Sequence, residues 1–583
     1  MTHPFQPFFL ETPSGPRFCV HYPPLGTIRG AILYVHPFAE EMHKARRMAA
    51  EMARRFASNG WAVLCVDLGG CGDSAGDFGD ASWAGWQADM QAAAQWLKAR
   101  HGVPLTVWGL RLGALLAADL AMRDEACQRL LLWSPATNGE QFLIQFLRLK
   151  VANQMLAGNG DGAMSTTQLR QQLDAGQALE VAGYGLSPQL ALPLASTKLA
   201  DVQRAGLVVD WFEMQSAPDR PAPPVAEKLA QSWRDKGAVV RLHGVVGESF
   251  WNTQEITDVP ALWDQTLHAL EQSKNEAVAP VVMNDAGRGG SESARLSSRV
   301  VEQALTLSCQ GESLPALLAA SDQAGEVGVL IVVGGPQYRA GSHRQFTLLG
   351  RALAESGIPS LRFDYRGMGD ATGPLHMFEQ VTDDLRTAVD ALFERQPGLR
   401  KVVIWGLCDA AAAALFYAWR DRRVSGLVLL NPWVRTEAGL AQAMVKHYYR
   451  QRLLSKDFWL KLFKGGVNVG GSIRELLQKI SAARQVTAAA PTTHQPDIDA
   501  SLPLPARMAE GLARFKGRVL FILSGDDLTA AEFREAVNAS PHWQSLLRAA
   551  NVQTKAFDEA NHTFSRRAWR ETVEQWTIDW IRE

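Results

Sequence analysis

The chain has 583 residues, 47% of them hydrophobic and 20% charged, with a formal net charge of -1. That length exceeds one ordinary hydrophobic core, and the charge balance excludes the basic excess of a nucleic-acid-binding protein. No window approaches the ~18 apolar residues of a membrane span, and the first residues lack a cationic start followed by an apolar run, so neither a transmembrane segment nor a signal peptide is expected. Six cysteines, Cys19, Cys65, Cys71, Cys127, Cys309 and Cys408, have no metal-type spacing; they read as reduced thiols, with the cytoplasm as the expected location and no metal or cofactor implied.

In chain order, "GAILYVHP" (30–37), "WAVLCVD" (61–67), "LTVWGL" (105–110) and "RLLLWSP" (129–135) are short apolar runs separated by longer segments of helical period. Continuous apolar runs of this length suit parallel strands buried on both faces, and their alternation with helices predicts a doubly wound sheet. The same pattern then recurs. Gly60 and Gly357, Asp67 and Asp364, Arg111 and Cys408, and Pro135 and Pro432 are each 297 positions apart. Further on, "RAGLVVDWFEMQ" matches "RVLFILSGDDLT" with Arg204 opposite Arg518, an offset of 314, so the second copy is expected to carry 17 extra residues. Between the copies lies a polar, Gly/Ser-rich stretch read as a linker. The expected organisation is a domain over 1–273, a linker over 274–298 and a domain over 299–583.

Each copy has a strand that runs through Trp-Gly-Leu into a helix of small residues: "LTVWGLRLGALLAADLA" in the first and "VVIWGLCDAAAAALFYA" in the second. Gly-x-nucleophile-x-small at a strand-to-helix turn describes a nucleophile elbow. A cysteine there sits at the positive end of a helix dipole, so Cys408 is expected to be exposed and predisposed to ionise. Such a nucleophile needs an acid and a histidine, in that order along the chain. His562 in "FDEANHTFSR" is the expected base, ahead of His542 in "ASPHWQ", and "LFILSGDDLTA" offers Asp526 and Asp527, either of which can also cap the helix starting near Leu528.

The two halves resemble the exosortase A-associated hydrolase families, which are α/β-hydrolases encoded beside bacterial exopolysaccharide and protein-sorting genes. The first half resembles the type 2 member through "VHPFAEEMHKARRMAAEMAR", "DLGGCGDSAGDF" and "WGLRLGA". The second resembles type 1 through "GGPQYRAGSHRQF", "FDYRGMGD", "GLCDAAAAA" and "SGDDLTAAEF". The resemblance implies two tandem α/β-hydrolase domains, each a mostly parallel doubly wound sheet with a lid insertion. It also favours Asp527 as the acid through the pattern Ser-Gly-x-Asp-Leu-Thr. An oxyanion hole would take the backbone N–H of Asp409 and a second donor from the Gly334–Gln337 loop, Gln337 first and Gly335 next, because Pro336 has none to give.

At the matching positions of the first half the nucleophile is replaced by Arg111, the acid by Glu213 and the histidine by Glu248. No triad is expected there, only an ion-paired pseudo-site in which Arg111 faces both glutamates. Nearby His36, Glu40, Glu41 and His43 have no recognised metal spacing. The second copy's insertion, "VRTEAGLAQAMVKHYYRQRLLSKDFWLKLFKGG", is cationic and aromatic, with Lys446, Arg450, Arg452, Lys456, Lys461 and Lys464. It suits an anionic substrate or peripheral contact with an anionic membrane. The expected function is a thiol-dependent ester or thioester hydrolase, with acyl transfer by the same cysteine and a non-catalytic scaffold as the alternatives.

Overall fold

The computed structural model describes residues 5–156, 164–202, 204–218, 220–272, 290–335, 337–435 and 497–583. In the first half, β1 (Gln6–Leu10), β2 (Arg17–Tyr22), β3 (Gly30–Val35), β4 (Trp61–Val66), β5 (Leu105–Leu110) and β6 (Cys127–Trp133) are followed by a small hairpin, β7 (Leu179–Val181) and β8 (Tyr184–Leu186), and then by β9 (Val208–Gln215), β10 (Val239–Val246) and β11 (Gly290–Ser291). All but the hairpin form one sheet in the order β10-β9-β6-β5-β3-β4-β2-β1-β11. The strands from β10 to β4 run parallel, and β2 joins them antiparallel.

Alternate residues of these strands feed two separate cores. Leu33, Leu64, Val107 and Leu130 pack under the helices Trp83–His101 and Gly113–Arg123. Their neighbours Ile32, Val63, Trp108 and Leu131 pack under Glu40–Ser58 and Pro260–Glu271. With both faces covered, period-two polarity disappears, and the strands read as the continuous apolar runs seen in the sequence.

The second half repeats the plan. Its strands are β12 (Ser293–Arg295), β13 (Val300–Cys309), β14 (Glu312–Ser321), β15 (Val327–Val332), β16 (Ser360–Phe363), β17 (Lys401–Leu407), β18 (Val424–Leu430), β19 (Arg518–Asp526) and β20 (Val552–Asn561). They are ordered β12-β13-β14-β16-β15-β17-β18-β19-β20. Among the described residues no helix is long and apolar enough to cross a membrane.

Two expectations need correction. Residues 290–298 were read as the end of a linker, yet β11 pairs with β1 and β12 with β13, so this stretch joins both sheets. The late offset is also different. Arg129 pairs with Val208 and its counterpart Gly426 with Arg518, so β19 aligns with β9 at 310 positions rather than 314. Matching Arg204 to Arg518 followed residue type, whereas the ladder fixes register by which side chains face each core.

The halves meet through the loops that follow β4 and β16. Each loop folds alike: Asp73 N–H donates to Asp67 Oδ2, and Asp370 N–H to Asp364 Oδ2, both at 3.0 Å. Arg339 reaches Asp364 (2.6 Å) and Asp370 (2.9 Å) in its own half and Asp73 (2.9 Å) in the other. Arg46 of the first half bridges the opposite way, to Asp67 at 2.6 Å and Asp370 at 2.7 Å. Arg362 closes the set on Asp73 (3.1 Å) and Glu302 (2.8 Å). Arg344 donates to three carbonyls of the first half's loop, those of Gly72, Ser74 and Gly76. All of these charged side chains are buried. Burial raises the cost of the Asp73 charge, but Arg339, Arg362, Arg46 and Arg351 outweigh it and bring its pKa down to about 2.

Removing one member of a desolvated set strands the others, at a cost of about 3–5 kcal/mol. Arg339→Met is therefore expected to lower the melting temperature of both halves together, as one transition by calorimetry; a second half melting early beside an unaffected first half would contradict this. Because the folded pKa of Asp73 is depressed, its stabilisation is present above pH ~4 and is lost as pH falls toward 2.

Candidate active site

The strand β17 ends at Leu407, and Cys408 then turns the chain into the helix Asp409–Tyr417 with φ 64° and ψ -123°. A non-glycine residue at positive φ is strained, and it persists only where its surroundings fix it. Here Cys408 N–H donates to Leu430 O at 2.9 Å, and Cys408 O accepts from Trp433 N–H at 3.1 Å. Close packing explains the glycine two residues earlier, since a Cβ on Gly406 would lie 2.8 Å from the backbone of Ala410. Arg111 occupies the same turn in the first half, at φ 55°. Its N–H donates to Trp133 O (3.0 Å) and its carbonyl accepts from Ala136 N–H (2.9 Å), the same two bonds 297 positions earlier. Both halves retain the turn, and the second carries a cysteine on it where the first carries an arginine.

Cys408 is half-buried, while the other five thiols are buried. The expected pre-ionised thiolate is not what its surroundings favour. Burial and then the Asp409 carboxylate push the Cys408 thiol well above its usual range, against the Asp409 N–H that lowers it. Asp409 is itself raised to about 6, by burial first and in spite of the N–H groups of Gly335 and Ala410.

His562 follows β20, and its Nδ1 lies 2.9 Å from Asp527 Oδ2. Asp527 also caps the helix Leu528–Asn538, taking the N–H groups of Thr529 (3.1 Å) and Ala530 (3.0 Å). Capping and orienting the imidazole are thus done by one carboxylate, while Asp526 is exposed at the end of β19. His542 is exposed on the first turn of Pro541–Leu547. Among the described residues Cys408 and His562 share no hydrogen bond.

Both donors expected of this loop are already engaged. Gly335 N–H donates to Asp409 Oδ1 at 2.7 Å, and Gln337 N–H to Gly335 O at 2.8 Å. The sequence did not indicate that Asp409, the residue after Cys408, holds this loop with its side chain. It also missed Asn431, whose Nδ2 donates to Ser524 Oγ and to His562 O, both at 2.9 Å, anchoring the histidine loop to the end of β18. The cationic lid residues Lys446, Arg450, Arg452, Lys456, Lys461 and Lys464 lie outside the described residues.

The first half's pocket differs from the expected cluster. Arg111 pairs with Glu41, Nε to Oε1 at 3.3 Å, donates to Ser134 O at 3.2 Å and lies 5.1 Å over the Trp251 ring. Glu248 is exposed and makes no ion pair with Arg111 among the described residues. Glu213 accepts from Trp211 Nε1 at 2.8 Å and, although burial raises its pKa, it still feels the Arg111 charge, as expected; in the corrected register, however, the residue opposite Asp527 is Ala217. His36 is spent locally, with Nδ1 to Pro37 O at 2.8 Å and Nε2 accepting from Leu68 N–H at 3.2 Å.

Two family models match in tandem: serine aminopeptidase S33 over residues 26–195, and the alpha/beta hydrolase family over 329–575. Both halves are α/β-hydrolase domains. Human Protein ABHD12B is 30% identical over 146 residues, 24% of this chain and 39% of that protein. The chicken lysophosphatidylserine lipase ABHD12 is 35% identical over 121 residues, 20% of this chain and 30% of that protein. The chain therefore spans well under half the length of these curated relatives. Among solved structures, a Pyrococcus furiosus esterase is 14% identical with a TM-score of 0.32, covering 48% of this chain and 92% of its own. An Anabaena variabilis dienelactone hydrolase is 16% identical with a TM-score of 0.31, covering 48% and 97%. The family matched by the first α/β-hydrolase domain is named for a serine enzyme, whereas this domain carries Arg111 at its elbow.

Iodoacetamide is expected to modify Cys408 ahead of the other five thiols, at a rate that still rises above pH 8. Asp409→Asn removes the adjacent charge and should accelerate the reaction at pH 8; an unchanged rate would mean that Asp409 does not hold the thiol up. In the first domain, a double-mutant cycle of Arg111→Met with Glu41→Gln should show coupling, whereas Arg111→Met with Glu248→Gln should be additive within about 0.5 kcal/mol.

Proposed function

We propose that the second α/β-hydrolase domain is a thiol-dependent ester or thioester hydrolase, with Cys408 as nucleophile, His562 as base and Asp527 orienting the imidazole. The observation that supports this most directly is the 2.9 Å His562–Asp527 contact in the domain whose elbow carries the cysteine. Because the thiol is held protonated, attack and proton transfer go together: Sγ bonds to the substrate carbonyl carbon while its proton passes to His562 Nε2. The negative charge moves to the carbonyl oxygen, facing Asp409 N–H. A second donor, Gly335 N–H, becomes available once it leaves Asp409 Oδ1. Collapse expels the alcohol or thiol, which takes the proton from His562; water, deprotonated by the same imidazole, then releases the acid and restores the thiol.

The first domain, with arginine at its elbow, supplies no nucleophile in this scheme, because a guanidinium stays protonated. An acyl ester or thioester substrate with anionic character, a cytoplasmic setting and a place beside exopolysaccharide or exosortase systems extend the proposal; they rest on the cationic lid sequence, the thiol pattern and the motif resemblance. The lipase name of one relative is compatible with an ester substrate.

Incubation with a panel of short-chain p-nitrophenyl esters and acyl thioesters is expected to leave a transient acyl group on Cys408, detected by peptide mass spectrometry. Cys408→Ala should abolish turnover, and Asp527→Asn should lower kcat by a factor of about 100 or more. Turnover that survives Cys408→Ala would refute the assignment.

A further inference from the structure

The turn Ser342–Arg344 connects three places that have no sequence proximity. His343 and Arg344 both adopt positive φ, 41° and 64°, which throws their side chains in different directions. Arg344 enters the first domain's Gly72–Gly76 loop. His343 turns back into its own domain, where Nε2 lies 3.1 Å from the carbonyl of Thr563, the residue after His562. Ser342 N–H donates to Gln337 Oε1 at 2.9 Å, so the same turn also holds the loop of the second oxyanion donor.

The turn is gripped from the first domain. Glu40 accepts from Ser342 Oγ at 3.0 Å and from His343 N–H at 3.4 Å, and its second oxygen also takes Tyr184 OH at 3.0 Å. Gly183, at the tip of the β7–β8 hairpin, packs so closely that a Cβ there would fall 2.7 Å from the His343 ring and 2.8 Å from Ser565 O. Glu180 on the same hairpin accepts from Arg567 N–H at 2.6 Å, further along the histidine loop. Two consecutive left-handed residues are costly, and strain of this kind is retained where neighbouring structure requires it. Here it lets one turn face both domains.

We propose that the first domain acts as a fixed template for the second domain's active site, with Glu40 and His343 as positioning residues that set the His562 loop and the Gln337 loop together. The inference rests on the assignment of Cys408 and His562 made above. His343 is buried, and burial brings its pKa down to about 4, so at neutral pH it is a neutral donor through Nε2, with Nδ1 unpartnered. Burial opposes the Glu40 charge, but His43, His343, Ser342 and Tyr184 prevail and hold its carboxyl below the usual range, so it serves as an acceptor. The arrangement accounts for a domain without a nucleophile that nonetheless keeps its full fold: its surface is part of the active-site scaffold.

The test uses the full chain and three variants. His343→Phe keeps the bulk and removes the donor, His343→Gln restores an amide donor near the Nε2 position, and Glu40→Ala releases the turn. Two readouts are taken: kcat and KM with the acyl substrate that labels Cys408, and the titration of the His562 ring by NMR of ring-labelled histidine. Expected are a fall in kcat of about tenfold or more for His343→Phe and Glu40→Ala with KM within about twofold, a displaced His562 titration in both, and recovery to within about threefold in His343→Gln. A His562 titration and kcat unchanged in both variants would overturn the inference. So would equal losses in His343→Phe and His343→Gln that track their melting temperatures. Failure of wild-type protein to acylate Cys408 would instead refute the proposed function, and the NMR titration would still decide whether Glu40 and His343 position the histidine loop.

Discussion

Arg339 is buried against three carboxylates drawn from both halves, Asp364 and Asp370 on one side and Asp73 on the other. A guanidinium cannot discharge itself, so this position demands negative partners, and the carboxylates demand cations in turn. Arg46 and Arg362 meet that demand. The geometry of the whole interface follows from it, because each tight loop must hold its pair of aspartates at the spacing the arginines require. Apolar packing would have allowed the domains to slide; a desolvated fork of hydrogen-bonding charges fixes one orientation.

That fixed orientation gives the unequal elbows their meaning. Arg111 and Cys408 share a strained backbone and the same pair of main-chain hydrogen bonds, yet their side chains live in different chemistry. In the first domain the guanidinium folds onto Glu41 and the Trp251 ring. In the second, the thiol remains half-buried, and burial first and the Asp409 carboxylate next push its pKa up. Strain at the elbow is thus a property of the fold, and reactivity is a property of the side chain it displays.

The sequence carried the fold well because buried parallel strands write themselves as apolar runs, and because a repeat at 297 positions makes each half a check on the other. The contact between His562 and an aspartate at the end of β19 was also legible: the strand's end offered Asp526 and Asp527 as helix cap and acid, and the family resemblance favoured Asp527, the one that meets His562. What failed was whatever depended on three-dimensional pairing. Glu213 and Glu248 were aligned by residue type, whereas ladder register puts Ala217 opposite Asp527 and leaves Glu248 in solvent. Glu41 was noted only as one member of a cluster, and nothing in linear spacing says that it lies under Arg111. Gly335 and Gln337 were read as free donors because a sequence shows which N–H groups exist and is silent on what they already bond. Asp409 was credited with its backbone alone for the same reason.

The short run through β11 and β12 has a bearing on self-association. A sheet's outermost strand presents a row of unsatisfied amides and carbonyls, which is an invitation for another chain to add on. Here β11 covers β1, β12 covers β13, and only Glu292 separates them, its carbonyl taking Ala304 N–H at 2.7 Å. Part of each border is thereby occupied by the chain itself, at Phe9–Leu10 of β1 and Val301–Gln303 of β13. Of the borders that remain, β20 carries exposed Asp558 and Glu559, charges that discourage strand addition. β10 has exposed Val239 and Val246 at its two ends and is the border with the least such protection. Fusing two copies of this fold thus does more than duplicate a scaffold: the chain's own connector takes up part of a rim on each sheet that a foreign strand could otherwise join.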